Sequence, residues 1–483
     1  IIVQSDGKVA NVTSYTDALG TENEFYGAKT DQFMSDFDST TGKLIVCYSN
    51  DATYNNMYGK VGTVSGTSIT YSTDYISSDG SNAQTGFNRG CSMACGNGKV
   101  VVIMCDGSGG TGISARAGTI SATANSGAGS ITWGTAIQLN SNASYLTSAI
   151  CYDSDKDKFV CIYASNSTSE HPRSVILTVT GNTLTTANDN QIINEQSNHY
   201  TLIYVPQKTA YFFAYSSGRG EDPATCHEGS GSPRGIVGTI NSSGNAMTWG
   251  SATTLGTDNK TKMTAAYVPS VDRVAIAYMD RYHSYKLESM VANVDWNAKT
   301  MAIANYHVIE SSGNCEYVPT IACISDSEAK VVVAYRYSPG LVNNIGTVNP
   351  SNNSITWAGR TTVDSSGTIN VGTTWGRFNF PKVGVGKFVM TACDVSDSNS
   401  WQIVRQFAAT DITTANFIGF SKEAYTNGQT ATVKVVGNVT TQSGLTPGQQ
   451  YYVQNDGTLS STAATPSVEA GKALTATSLL IKG

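Results

Sequence analysis

Short apolar runs recur along the chain between polar turns, each embedded in the same longer phrase. The clearest copy is Lys330 to Trp357. Its run Val331–Tyr335 leads through a loop to a short strand ending Gly346-Thr347-Val348, then a polar turn and Ile355-Thr356-Trp357. Six further copies of the run are Leu44–Ser49, Val100–Cys105, Phe159–Ala164, Ala210–Tyr215, Val274–Met279 and Phe388–Cys393. A basic residue immediately precedes most of them (Lys43, Lys99, Lys158, Arg273, Lys330, Lys387), whereas Lys208 stands two residues before its run. Spacing centred on roughly 57 residues is the signature of a solenoid, a propeller or an array.

Two more landmarks follow each run. Gly62-Thr63-Val64, Gly118-Thr119-Ile120, Leu177-Thr178-Val179, Gly238-Thr239-Ile240, Ala292-Asn293-Val294 and Gly346-Thr347-Val348 fill one slot. Ile69-Thr70-Tyr71, Ile131-Thr132-Trp133, Met247-Thr248-Trp249 and Ile355-Thr356-Trp357 fill the next. With a short apolar segment before each run, such as Phe33–Phe37 or Tyr200–Val205, the unit reads strand, hairpin, strand, loop, strand, turn, strand. β-Branched and aromatic residues bounded by Gly, Asn, Asp and Ser give small antiparallel sheets, and no helical periodicity competes. The run is apolar at successive positions, so both of its faces must be covered. Radial packing does this and leaves only short edges.

The predicted fold is therefore all-β: a seven-bladed β-propeller of four-stranded antiparallel blades, followed by a small C-terminal β-domain. The expected domains are a lead-in at 1–29 with a strand closing the last blade, the propeller at 30–416 and the β-domain at 417–483. The seventh repeat lacks an Ile-Thr-Trp strand. Val9–Tyr15 is expected to fill that place, with Thr413–Gly419 as the alternative. After about Phe417 the repeat stops; Thr430–Val436, Gln450–Val453 and Ala473–Ile481 read as strands, and Asn455-Asp456-Gly457 as a hairpin turn.

Composition narrows the function. Only 14% of the 483 residues are charged and the net charge is −6. No Lys/Arg cluster marks a nucleic-acid surface, and no run of 18 apolar residues marks a membrane helix. The opening Ile1-Ile2-Val3, without Met, is no signal peptide and suggests an upstream portion. Most of the ten cysteines fall in apolar strands and read as small core residues of a reduced protein. Cys226 and Cys315 fall in loops, where a disulfide between them is the alternative.

Candidate chemistry is sparse. Asp153-Ser154-Asp155-Lys156-Asp157 alternates carboxylates like a calcium loop, but lacks the Gly and Glu that such a loop needs and occupies a hairpin slot. The insertion Ser216–Arg234 gathers Glu221, Asp222, Cys226, His227 and Glu228; a Gly-rich surface loop explains them as well as a metal or an acid–base pair does. In a propeller the second-to-third-strand loops and the fourth-to-first connections share one face, and long insertions there form binding faces. The binding candidates on that face are Tyr54, Tyr58, Arg219, His227, Arg281, Tyr282, His283, Tyr285 and Trp375. Arg and Tyr are enriched at interfaces, and exposed rings suit a sugar face. The chain has no repeated Ser-x-Asp-x-Gly-x-x-Trp box, no G-x-S-x-G and no Walker loop. No catalytic residue, metal or cofactor is expected.

The segment GLTPGQQYYVQNDGTLSSTAATPSVEAGKALTATSLLIKG resembles a module at the C-termini of tailed-bacteriophage virion proteins, notably tail-fibre-like proteins. The Gly-Thr-Val…Ile-Thr-Trp phrase is similar to β-propeller repeats of phage structural proteins, and Ile2-Val3-Gln4-Ser5-Asp6-Gly7-Lys8-Val9 to the segment that leads into them. The resemblance implies a non-enzymatic structural or host-recognition role on the virion, as a tail fibre or appendage. Its partners would be other tail proteins, host-surface glycan and further copies of the chain, without nucleic acid or membrane insertion. The alternatives are a glycan depolymerase built on the propeller and an internal tail scaffold such as a nozzle.

Overall fold

Side chains alternate along a strand, so an uninterrupted apolar run serves two opposite surfaces at once. In the computed structural model of the protein, each run becomes the second strand of a blade and does this. The structure describes residues 2–3, 9–10, 16–28, 30–50, 57–73, 75–76, 91–105, 112–124, 127–141, 143–165, 171–218, 232–256, 260–280, 286–303, 306–311, 315, 319–326, 328–337, 340–364, 369–370, 380–384, 386–394, 399–408, 419–422, 432–453, 459–463 and 468–482. One unit spans Leu19–Arg405; the other comprises Ile1–Ala18 and Gln406–Gly483.

Among the described residues the larger unit holds seven antiparallel sheets. Their second strands are Lys43–Asn50, Lys99–Cys105, Lys158–Ser165, Ala210–Ser217, Arg273–Asp280, Lys330–Tyr337 and Lys387–Asp394. In five blades the fourth strand is broken in two. In blade 2, for example, Ser130–Trp133 and Ile137–Asn140 both pair with the third strand Ile113–Ser121. The fold is a seven-bladed β-propeller.

The two faces of each run pack in opposite directions. Val100, Val102 and Met104 join Ile45 and Cys47 of blade 1, while Val101 and Ile103 join Phe159, Cys161 and Tyr163 of blade 3. The same alternation carries Val160 and Ile162 to Tyr211 and Phe213, then Phe212 and Ala214 to Val274 and Ile276, then Ala275 and Ala277 to Val331 and Val333. Leu44 meets Val389, so blade 7 packs on blade 1. Most of these side chains are fully buried. At about 1.5–3 kcal/mol per buried large aliphatic or aromatic side chain, the layers between blades dominate the stability of the ring.

The Gly-Thr-Val and Ile-Thr-Trp landmarks are two halves of one contact. Gly118 pairs directly with Trp133, Gly238 with Trp249 and Gly346 with Trp357. A Cβ on Gly238 would stand 2.5 Å from the Trp249 ring, and on Gly346 2.8 Å from Trp357. The glycine leaves room for the indole to lie across the strand. Where the fourth strand carries no aromatic ring, the slot takes a side chain: Leu177 opposite Thr186 and Ala292 opposite Ile303. The threonines of the two landmarks also pair, Thr63 with Thr70, Thr119 with Thr132, Thr239 with Thr248 and Thr347 with Thr356.

The fourth-strand ring then reaches the preceding blade. Trp249 Nε1 donates to Ser174 Oγ (3.0 Å), Trp357 Nε1 to Ser289 Oγ (2.9 Å), and Tyr71 OH to Gln402 Oε1 across the closing seam (2.7 Å). At blade 7, Arg405 Nη2 donates to Asn343 Oδ1 of blade 6 (2.6 Å). Carboxylates clamp blades 1 and 2: Cys95 N donates to Asp36 Oδ2 (2.7 Å) and Gly98 N to Asp38 Oδ1 (3.2 Å).

Ring closure differs from the sequence expectation. The fourth strand of blade 7 is Thr16–Tyr26, paired with Asn399–Ala408, not Val9–Tyr15. Val9–Ala10 instead forms a small hairpin with Ile2–Val3, and 11–15 and 409–418 lie outside the described residues. An outer strand needs little apolar character, so the polar TDALGTENEFY serves, with Phe25 packed on Tyr48 (5.3 Å between ring centres).

In the smaller unit Val439–Thr441, Ser478–Ile481, Glu469–Thr475, Gln450–Val453 and Leu459–Ser460 form one sheet, in that order, over a core of Leu445, Tyr451, Val468 and Leu479. The stretch read as one strand, Ala473–Ile481, is folded back on itself. Thr475 pairs with Ser478, and its hydroxyl holds the turn by accepting from Thr477 N (3.2 Å).

Two outcomes follow from the seams. Gly238→Val should destabilise the protein by about 1–3 kcal/mol through overpacking against Trp249, read as a lower urea midpoint; an unchanged midpoint would refute the paired-slot account. Asp36 is withdrawn from water, which raises its carboxyl to about 6, with the two amide donors opposing. The folded state therefore holds this proton more tightly than the unfolded chain, and Asp36 makes stability rise as pH falls from about 6 towards the ordinary carboxylate range. Urea midpoints at pH 5 and pH 7 should show a smaller gain on acidification in Asp36→Asn than in the native protein. Glu328, raised by burial to about 7, accounts for part of the slope that remains.

Candidate functional site

The first strands of all seven blades end around one concave mouth. Register defines its rim: the residues paired with Leu44, Val100, Phe159, Tyr211, Val274, Val331 and Phe388 are Phe37, Cys95, Tyr152, Tyr204, Tyr267, Cys323 and Lys382. All seven line a cavity of about 660 Å³. One residue deeper, Asp36, Ala94, Cys151, Ile203, Ala266, Ala322 and Pro381 line it too. This mouth adjoins the first-to-second-strand hairpins.

Local chemistry explains how the rim is held. Pro206–Lys208 and Pro269–Val271 form single 3₁₀ turns, closed by left-handed residues Thr209 (φ 49°) and Asp272 (φ 51°). Tyr267 OH donates to Asp272 Oδ1 (2.9 Å), and Tyr152 OH to Asp157 Oδ1 (2.9 Å). Each tyrosine is thus fixed by a carboxylate five residues on. Tyr152 also packs on Phe159 (5.0 Å) and Tyr204 on Tyr211 (5.1 Å). Burial, reinforced by the neighbouring carboxylates, holds these phenols well above their ordinary range, so they stay protonated.

The acidic groups near the mouth are engaged. Asp153 Oδ1 accepts from Asp155 N and Lys156 N (both 2.9 Å), and its Oδ2 accepts the hydroxyl of Tyr211 in blade 4. The Asp153–Asp157 stretch is therefore a hairpin turn. Asp272 accepts from Tyr267, from Trp296 Nε1 (3.1 Å) and from Lys208 Nζ (2.7 Å), which hold its carboxyl below the usual range against the opposing effect of burial. Lys382 pairs with Asp326 (3.0 Å). Burial pushes the thiol of Cys323 up to about 11 and those of Cys95 and Cys151 well above their ordinary value, so none is a thiolate at neutral pH. Among the described residues, no group of three or more His, Cys, Asp or Glu is placed to hold a metal. The mouth offers a rim rich in aromatic rings above mostly small and aliphatic side chains, with Asp36, Asp326 and Lys382 among its charged groups.

Of the residues expected to bind, Tyr58 is described. It is half-buried and stacks on Tyr48 (ring centres 5.7 Å apart, 23° between planes), beside Tyr26 and Phe25. Tyr54, Arg219, His227, Arg281, Tyr282, His283, Tyr285 and Trp375 lie outside the described residues, as do Glu221, Asp222, Cys226 and Glu228. Cys315 is buried. The sequence did carry a signal for the rim: Tyr204-Val205-Pro206 and Tyr267-Val268-Pro269 repeat at equivalent positions. Without strand register, nothing in that repeat placed it at the ring's centre.

No protein-family model matches the chain, and no curated protein does. Solved structures that it resembles include the NanB sialidase from Streptococcus pneumoniae (9% identity, TM-score 0.39, covering 82% of this chain and 70% of that one). They also include AofleA from Arthrobotrys oligospora (9%, 0.42, 74% and 94%) and Sqt1 from Chaetomium thermophilum (9%, 0.43, 80% and 98%). Similarities this distant transfer neither ligand nor activity.

Proposed function

We propose that this protein is a non-catalytic virion component of a tailed phage, a tail fibre or related appendage, whose propeller is a rigid head for recognising the host surface. The observation that carries the binding reading is the engagement of the carboxylates around the mouth. Asp36, Asp153, Asp272 and Asp326 are each committed to backbone amides, a tyrosine, a lysine or a neighbouring blade. A general acid–base pair needs carboxyl groups free to reach a substrate; Asp153 and Asp272 are each tied to three donors and Asp36 to two backbone amides. The phage setting rests on the resemblance of the repeat phrase and of the C-terminal module. In this reading the smaller unit docks onto other tail proteins or onto further copies of the chain.

The purified chain should bind host cells and reduce phage adsorption in competition, without releasing oligosaccharide from capsule or lipopolysaccharide. Released oligosaccharide would replace this reading with a depolymerase. Failure to compete, together with antibody labelling only of disrupted particles, would replace it with an internal scaffold.

A further inference from the structure

Most described seams between blades are bridged on the hairpin face by a polar group reaching the next blade's third-to-fourth-strand turn. Lys43 Nζ donates to Gly127 O (2.6 Å), Thr119 Oγ1 to Gly181 O (2.8 Å) and Lys156 Nζ to Ser242 O (3.1 Å). Arg273 reaches Asn353 Oδ1 (2.7 Å) and Pro350 O (3.1 Å). The seam from blade 4 to blade 5 breaks this rule. Ala210 pairs with Val205 just as Lys43 pairs with Asp38 and Arg273 with Val268, so a buried alanine stands where the other blades carry a cation. Lys208 is displaced and turns to Asp272 (2.7 Å) on the inner side, while Lys299 crosses the outer side to Thr248 O (3.0 Å).

Beside the Lys208–Asp272 bridge lies a cleft of about 720 Å³ with Trp296 and Met301 in its wall. Its other walls carry Gln207, Asn293, Asn297 and Thr300, all exposed. Lys208 and Asp272 form an ion pair, and Asp295 Oδ1 accepts from Asn297 N (3.1 Å) and Ala298 N (2.9 Å). An anion would meet two carboxylates there. A metal ion would find amides and two acids already engaged by a lysine or by backbone amides, and an apolar ligand would find little apolar wall beyond Trp296 and Met301. Side chains that both donate and accept match a neutral molecule whose groups do the same.

We infer that the cleft between blades 4 and 5 is a binding site for a neutral saccharide unit. The inference names a ligand class for the recognition role proposed above and rests on that reading. The volume falls within the range of small-molecule sites. The site arises where the repeat loses its seam cation, so the other described bridged seams are not equivalent to it.

Ligand-observed NMR on the full chain, with a panel of neutral mono- and disaccharides at up to about 10 mM, the range a shallow polar site reaches, should show saturation transfer to at least one member. Asn293→Ala combined with Asn297→Ala should weaken that binding by about 10-fold or more, equivalent to about 1.4 kcal/mol. Ala302→Trp, which places a ring in the cleft from an exposed position, should abolish it. Both variants alter exposed side chains, and unchanged urea midpoints would show that the fold persists. Binding by no panel member, equal binding in both variants, or preferential binding of inorganic phosphate would overturn the inference. Competition with phage adsorption is scored separately. If it persists while saccharide binding fails, the cleft is refuted and the recognition role stands. If the cleft binds saccharide and competition fails, the recognition role falls.

Discussion

A strand that is apolar on both faces cannot sit at a surface. Leu44 to Tyr48, Val100 to Ile103 and Phe212 to Tyr215 are buried at every residue, which is possible only with a neighbouring sheet on each side. A row of such sheets would leave two bare ends, and joining the ends removes both. Closure into a ring is thus demanded by the composition of the second strands, and the other features of the larger unit accommodate it.

The accommodations are polar and differ from seam to seam. An indole opposite glycine reaches back one blade in several repeats, a tyrosine does so at closure, and an arginine takes over at blade 7. Buried polar groups are costly unless bonded, and the closing seam pairs Thr30 with Ser400 (2.9 Å) and Ser35 with Thr391 (3.0 Å). Repetition supplies the apolar layers, and variation between repeats supplies the polar cross-links. The variation leaves space at the central mouth, where several first strands end on large rings, and beside the seam where the cation is absent.

This division also separates structure from recognition. The carboxylates near the mouth that look available in the sequence are bound into hairpins and clamps, and Asp157 and Asp272 fix two of the rings at its rim. Such a surface is rigid before it meets a ligand, and preorganisation lowers the ordering cost of binding.

The sequence by itself determined the number of sheets, their order and the two-faced second strands, because each follows from side-chain period; the pairing of glycine with the fourth-strand indole emerged only from strand register. The sequence did not determine which segment closes the ring. Thr16–Tyr26 is polar and carries no apolar signature, and its place is set by pairing with Asn399–Ala408 at the far end of the unit. Nor did it mark Ala473–Ile481 as a hairpin, since the Thr475 turn that divides it contains neither Gly nor Pro. The mouth and the cleft were decided by tertiary structure alone. Tyr152, Tyr204 and Tyr267 become one rim only through register, and Ala210 opens a gap only because neighbouring blades fill the same place with a cation.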